Sequence, residues 1–219
     1  MGASTIMVIR HAEKPGSYNG QTYNGVNPLA TSCGTSGSED LVTLGWERAG
    51  ALVTLFAPPW GPKPSLVIPN TLFASDPKDS NQPAGADAKA DPDADSEPSQ
   101  RPYETLTAVA AALGTKDSPL AIDTSFSKKH YDDMVTAALA ASGGVLIAWQ
   151  HQDIPAIGQA ILSQTGTQPS SIKIPTKWHK SRYDLVWVFN RPGGTGPIAS
   201  FSIFAQMLLA GDGPAPPVS

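Results

Sequence analysis

Two short runs constrain this chain more than anything else in it. Thr5–Ile9 (TIMVI) and Val145–Trp149 (VLIAW) are apolar or β-branched at every position rather than at every second one. A strand of that kind exposes no polar face, so it needs cover on both sides. Helical patterns lie between and around them. Glu39–Phe56 keeps Leu41, Leu44, Ala49, Leu52, Val53 and Phe56 at helical spacing, with Ser38 placed to cap it and Pro58-Pro59 to end it. Tyr103–Leu113, Lys128–Ala141 and Ile154–Ser163 also read as helices. Thr71–Ala74, Tyr183–Phe189 and Ile198–Phe204 read as strands. Strands alternating with helices predict an α/β fold of three layers, α/β/α, around a mostly parallel central sheet.

At 219 residues the chain suits one such domain, expected over residues 1–210, with a Pro-rich tail at 211–219. Many of the 21 prolines and 20 glycines fall in connections. Gly16–Ser38 is too long for an ordinary loop, and such segments are usually functional or mobile. Residues 77–100 hold Ala, Asp, Pro, Ser, Gln and Lys with no large apolar side chain, which predicts an exposed, flexible insert. Its Asp91-x-Asp93-x-Asp95 lacks the glycine and the bidentate glutamate of a calcium loop.

The net charge of −4 gives no bulk attraction to nucleic acid or to an anionic membrane, so any anion site must be built locally. A single cysteine, Cys33, excludes an internal disulfide and a cysteine-rich metal site. No signal segment and no run of ~18 apolar residues is visible. A cytoplasmic location is expected.

The charged residues of interest follow strands. Arg10-His11 follows TIMVI, Arg101 follows the Thr71–Ala74 strand and its insert, and His151 follows VLIAW. In a parallel sheet the carboxyl ends of the strands line one crevice, so residues this far apart can meet. Their chemistry converges as well. Arginine matches phosphate bidentately and stays charged. A neutral imidazole can attack phosphorus, and a second, protonated beside the phosphate, would stabilise its equatorial oxygens. Glu13 and Lys14 are placed for the mouth of such a pocket, where they would touch substrate or simply pair in solvent; Gln152 adjoins His151. Asp153 can give a proton to a leaving oxygen, yet Asp153-Ile154-Pro155 is equally a helix start with aspartate as N-cap. A capping carboxylate would have a depressed pKa, poor for an acid. Asp132, His130 and Glu13 remain alternatives, and the proton donor is left open.

Five pieces in order give a family resemblance: Arg10-His11-Ala12-Glu13, then Leu41 through Gly45 to Arg48-Ala49, Ser75, Arg101-Pro-Tyr-Glu-Thr105 and His151. The chain resembles the histidine phosphatase superfamily, from about Thr5 to Phe189, where Tyr183–Val188 looks like the family's late strand. The resemblance implies a phosphoglycerate mutase-like fold and a phosphohistidine intermediate on His11. It also implies a phosphate pocket of Arg10, Arg101 and His151, with no metal or organic cofactor. The expected activity is phosphomonoester hydrolysis of a small-molecule phosphate ester, a phosphoprotein being a further candidate. Ala12 and Ser17 depart from the mutase branch's glycine and asparagine, and that branch's helix-borne acidic glutamate has no clear counterpart, its neighbourhood being Lys128-Lys129-His130. These departures weigh against the alternative of a mutase. A phosphate-binding pseudoenzyme is the other alternative.

Overall fold

A computed structural model describes residues 2–18, 21–28, 39–78, 98–115, 117–168 and 170–216. The bulk of the insert, Cys33 and the expected cap Ser38 lie outside the described residues. Among the described residues the main sheet has six strands: β1 (Ala3–Arg10), β4 (Thr71–Ala74), β5 (Ile122–Asp123), β6 (Gly143–Trp149), β7 (Leu185–Asn190) and β8 (Ser200–Ala205), in the order β5-β4-β6-β1-β7-β8. β5, β4, β6 and β1 are parallel, while β7 is antiparallel to both β1 and β8. The sheet is therefore mixed but mostly parallel, as the alternation of strands and helices predicts.

Alternate side chains of each central strand go to opposite layers. Ile6, Val8, Val145, Ile147 and Trp149 pack with Met134, Val135, Ile157 and Ile161 of α4 (Tyr131–Ala140) and α5 (Ile154–Gln164). Met7, Ile9, Leu146 and Ala148 pack with Leu52, between α1 (Thr43–Ala51) and α2 (Val53–Phe56), with Leu55 and Phe56 of α2, and with Leu106 and Val109 of α3 (Arg101–Leu113). Thr5–Ile9 and Val145–Trp149 both lie in this doubly covered centre, each apolar residue fully buried.

Helix starts are where sequence and structure part. The first helix begins at Thr43, four residues later than its periodicity predicts. The backbone of the preceding residues is engaged elsewhere: the Leu41 amide donates to Glu104 Oε2 at 2.8 Å, its carbonyl accepts from the Val26 amide at 2.7 Å, and the Val42 amide donates to the Glu13 carbonyl at 3.1 Å. α4 likewise begins at Tyr131 rather than Lys128, because Ser127–His130 form a turn closed by the His130 amide on the Ser127 carbonyl. α3 begins earlier than expected, at Arg101, with Pro102 in its first turn, where a missing amide costs nothing. Inside the expected 16–38 loop there is a hairpin, β2 (Gly16–Tyr18) with β3 (Gln21–Tyr23). Among the described residues, no helix is long and apolar enough to cross a membrane.

Candidate functional site

The register of β1 against β6 pairs Ile9 with Ala148 and Arg10 with Trp149, so the two strands end side by side. The His11 amide extends the ladder by one more bond, 2.9 Å to the Trp149 carbonyl. Ala74 of β4 pairs Ala148 on the other flank of β6. His11, His151 and the segment after β4 thus leave the sheet together.

There a small cavity of about 40 Å³ is lined by His11, Lys14, Ser99, Arg101, Pro102, Lys128, Gln150, His151 and Gln152. Of the residues singled out in the sequence, the structure brings His11, His151, Arg101, Lys14 and Gln152 to this cavity. Ser99, Lys128 and Gln150 had been passed over.

His11 is 4% exposed. Its Nδ1 lies 2.7 Å from the carbonyl of Ala12, which can only accept, so Nδ1 carries the proton and Nε2 the lone pair. Burial above all, then the charges of Arg10, Arg101 and Lys14, holds its pKa well below the ordinary histidine value. The ring is neutral at physiological pH. Ala12 is itself fixed: its amide donates to Thr105 Oγ1 at 2.8 Å, and that hydroxyl donates to the Arg101 carbonyl at 2.7 Å. One threonine in the first turn and a half of α3 therefore links the peptide that sets the His11 tautomer to the residue that brings a guanidinium.

His151 is half-buried, and its Nδ1, shielded from solvent, makes no hydrogen bond to the protein. Burial, then Arg10 and Lys14, pushes its pKa down to about 4. In the free site both imidazoles are thus neutral, whereas His151 was expected to be protonated beside a phosphate. A dianion in the cavity would oppose those cations and reverse the shift.

Arg101 Nη2 lies 3.6 Å from Glu39 Oε2, at the N-terminal end of the 13-residue α3, where the helix adds partial positive charge. Arg10 is 1% exposed and does not line the cavity. Its guanidinium stacks 3.7 Å over the Tyr183 ring and donates to the carbonyls of Lys180 and Arg182. Its charge nonetheless reaches both histidines.

Glu13 is not at the pocket mouth. It is 6% exposed and accepts three hydrogen bonds from Arg48, at 2.7, 2.9 and 3.1 Å. The other edge of that guanidinium is held by Asp212 at 2.7 and 3.1 Å and by Gln206 at 3.0 Å. Gly45 makes room for this loop: a Cβ there would meet the Glu13 carbonyl at 2.5 Å. Its place beside His11 in the sequence suggests the pocket mouth, on substrate or paired in solvent; its partner instead is buried and lies 35 residues away, beyond any local pattern.

Asp153 stands at the N-cap of α5 without making a side-chain cap bond, and it does not line the cavity. Its Oδ2 accepts from Gln150 Nε2. The depressed pKa expected of a capping carboxylate is not found. Burial raises it, against the opposing pull of Gln150, Trp149, Lys128 and Lys129. His130 Nδ1 is paired with Ser127 Oγ, and Asp132 is exposed in the first turn of α4; neither lines the cavity.

Compared with known proteins, the chain gives no match to a family model and no significant match to a curated sequence.

Proposed function

We propose that this chain is a phosphomonoester hydrolase of the histidine phosphatase type, acting through a phosphohistidine on His11. The observation that carries the reading is the state of that ring: buried, neutral, its Nδ1–H spent on the Ala12 carbonyl and its Nε2 lone pair left for phosphorus. Around the cavity stand Arg101, Lys14 and Lys128, with the Arg10 charge close by. In a chain of net charge −4, that local density of cations is what an oxyanion requires. The buried His151 Nδ1 supplies a further polar atom that a bound phosphate oxygen would satisfy.

The chemistry follows from these positions. The ester phosphate is held by Arg101, with Arg10 and Lys14 supplying field. Nε2 of His11 attacks phosphorus in line with the leaving oxygen, and charge on the equatorial oxygens is met by the guanidinium and by His151, which gains a proton as the dianion enters. Water then attacks the phosphohistidine, releasing inorganic phosphate and the neutral ring. Gln152, exposed and lining the cavity, would contact substrate.

The test is incubation of the full chain with para-nitrophenyl phosphate, followed by an alkaline quench and analysis for acid-labile, base-stable phosphate. Turnover, with label on His11 and none in His11→Ala, is expected. Activity undiminished in His11→Ala would refute the nucleophile.

A further inference from the structure

We propose that Lys128 is the acid that protonates the departing oxygen of the ester. The inference rests on the phosphohistidine reading above and asks what that reading leaves unfilled. A poor leaving group needs a proton, and the groups first considered for it are engaged or misplaced. Glu13 is bound on both oxygens by Arg48. Asp153 accepts from Gln150 and does not line the cavity, nor do His130 and Asp132. Arginine cannot give up its proton. His151, with a pKa near 4, holds none at neutral pH until the phosphate arrives, and then serves its charge.

Lys128 is a buried cation that none of this uses. It is 5% exposed and lines the same cavity as His11, Arg101 and His151. Its backbone is tied to the end of the strand that leads to His151: Trp149 Nε1 donates to the Lys128 carbonyl at 3.3 Å. The turn Ser127–His130, which delays the start of α4, is what brings the residue to the cavity wall rather than onto a helix face. Around it stand the cations Arg101 and Lys14 and the neutral imidazoles of His11 and His151 across the cavity, with Lys129 beside it in the chain, and the Asp153 carboxylate of the α5 start feels its charge. Lysine ammonium is strongly hydrated in water and is seldom taken this far out of it without a task.

In the first step the bond from His11 Nε2 to phosphorus forms as the P–O(ester) bond breaks. The electron pair stays on the ester oxygen, and a proton passes to it from Lys128 Nζ, giving the alcohol. In the second step the neutral amine accepts a proton from the attacking water, the N–P bond breaks, and ammonium, imidazole and phosphate are restored.

The experiment compares para-nitrophenyl phosphate, whose leaving group needs no proton, with β-glycerol phosphate, whose leaving group does. It uses the full-length parent, Lys128→Met, Lys128→Arg, Asp153→Asn and His11→Ala. For Lys128→Met, kcat on the alkyl ester is expected to fall by about 10²–10⁴-fold, and on the aryl ester by about tenfold or less. Lys128→Arg keeps the positive charge and the KM of the parent but shows the same selective loss; it also carries the test should the methionine variant fail to fold. An equal loss on both esters, or a selective loss in Asp153→Asn instead, would overturn the assignment. Failure of the underlying reading looks different: the parent cleaves neither ester, or His11→Ala still cleaves both.

Discussion

Replacing Arg48 with leucine removes the residue that holds the loop after His11, and the size of the effect can be worked from its partners. Glu13 loses three hydrogen bonds at once and has no other side-chain bond among the described residues; it is left as a buried carboxylate. Asp212 is better off, since its Oδ2 also accepts the amides of Leu208 and Leu209 at 2.8 and 3.1 Å. The loss is therefore that of one buried charge stranded and a second weakened. Breaking a buried ion pair from one side costs about 3–5 kcal/mol. Against a total stability of about 5–15 kcal/mol that is a large part of the whole. At about 2–4 °C per kcal/mol for a chain of this size, Tm should fall by roughly 6–20 °C. Urea unfolding followed by circular dichroism, with m unchanged, measures it directly. Glu13→Gln keeps the shape and an acceptor oxygen, and should lose about 1.5–3 kcal/mol, the worth of hydrogen bonds to a charge. Both variants should raise KM by little. A Tm within 2 °C of the parent, joined to a large rise in KM, would refute a structural role for Glu13 and return it to the substrate.

Thr105→Val should leave the Ala12 amide buried without its acceptor, costing about 1–3 kcal/mol and lowering kcat more than KM, with Thr105→Ser restoring both; unchanged kcat in a folded valine variant would disprove the link to His11. Glu104, raised from 4.5 to about 8 mainly by burial, then by Asp40, holds a proton when folded that the unfolded chain has released. Its contribution is thus complete below about pH 4.5 and is lost as pH rises through about 8; Glu104→Gln should flatten that decline in a Tm series from pH 5 to 9. Binding of inorganic phosphate should raise the His151 pKa from about 4, seen by NMR titration of the ring, and a value that stays put would exclude contact with the anion. Gly45→Ala should cost about 1–3 kcal/mol in urea, since its Cβ would press on the Glu13 carbonyl.

Much of the fold was legible because apolar periodicity is local. TIMVI and VLIAW carry their burial in their own letters, and Thr71–Ala74 was bounded to the residue. What was not legible depends on partners far along the chain. Nothing near Asp40 says that its neighbour's amide will go to Glu104, so the first helix was started too early. Arg48 stands out in the sequence only as part of the resemblance and Asp212 only as part of a Pro-rich tail; folding makes them the two sides of one buried guanidinium contact. The positions of His11 and His151 could be anticipated from strand ends, since the sheet itself aligns them, and Arg101 joins them at the start of α3. Lys128 could not, because a four-residue turn has no period.

The pairing of β1 with β6 has a consequence for how such a centre can vary. A strand moves along its neighbour in whole residues of about 3.3 Å, and a slip of one would turn Ile6 and Val8 into the opposite layer. The spacing between the two rings is accordingly digital: it can jump by an amount larger than a bond, or stay, but it has no small adjustments available. Fine tuning in this molecule falls to side-chain rotamers and to the loops, while the sheet acts as a ruler with coarse marks.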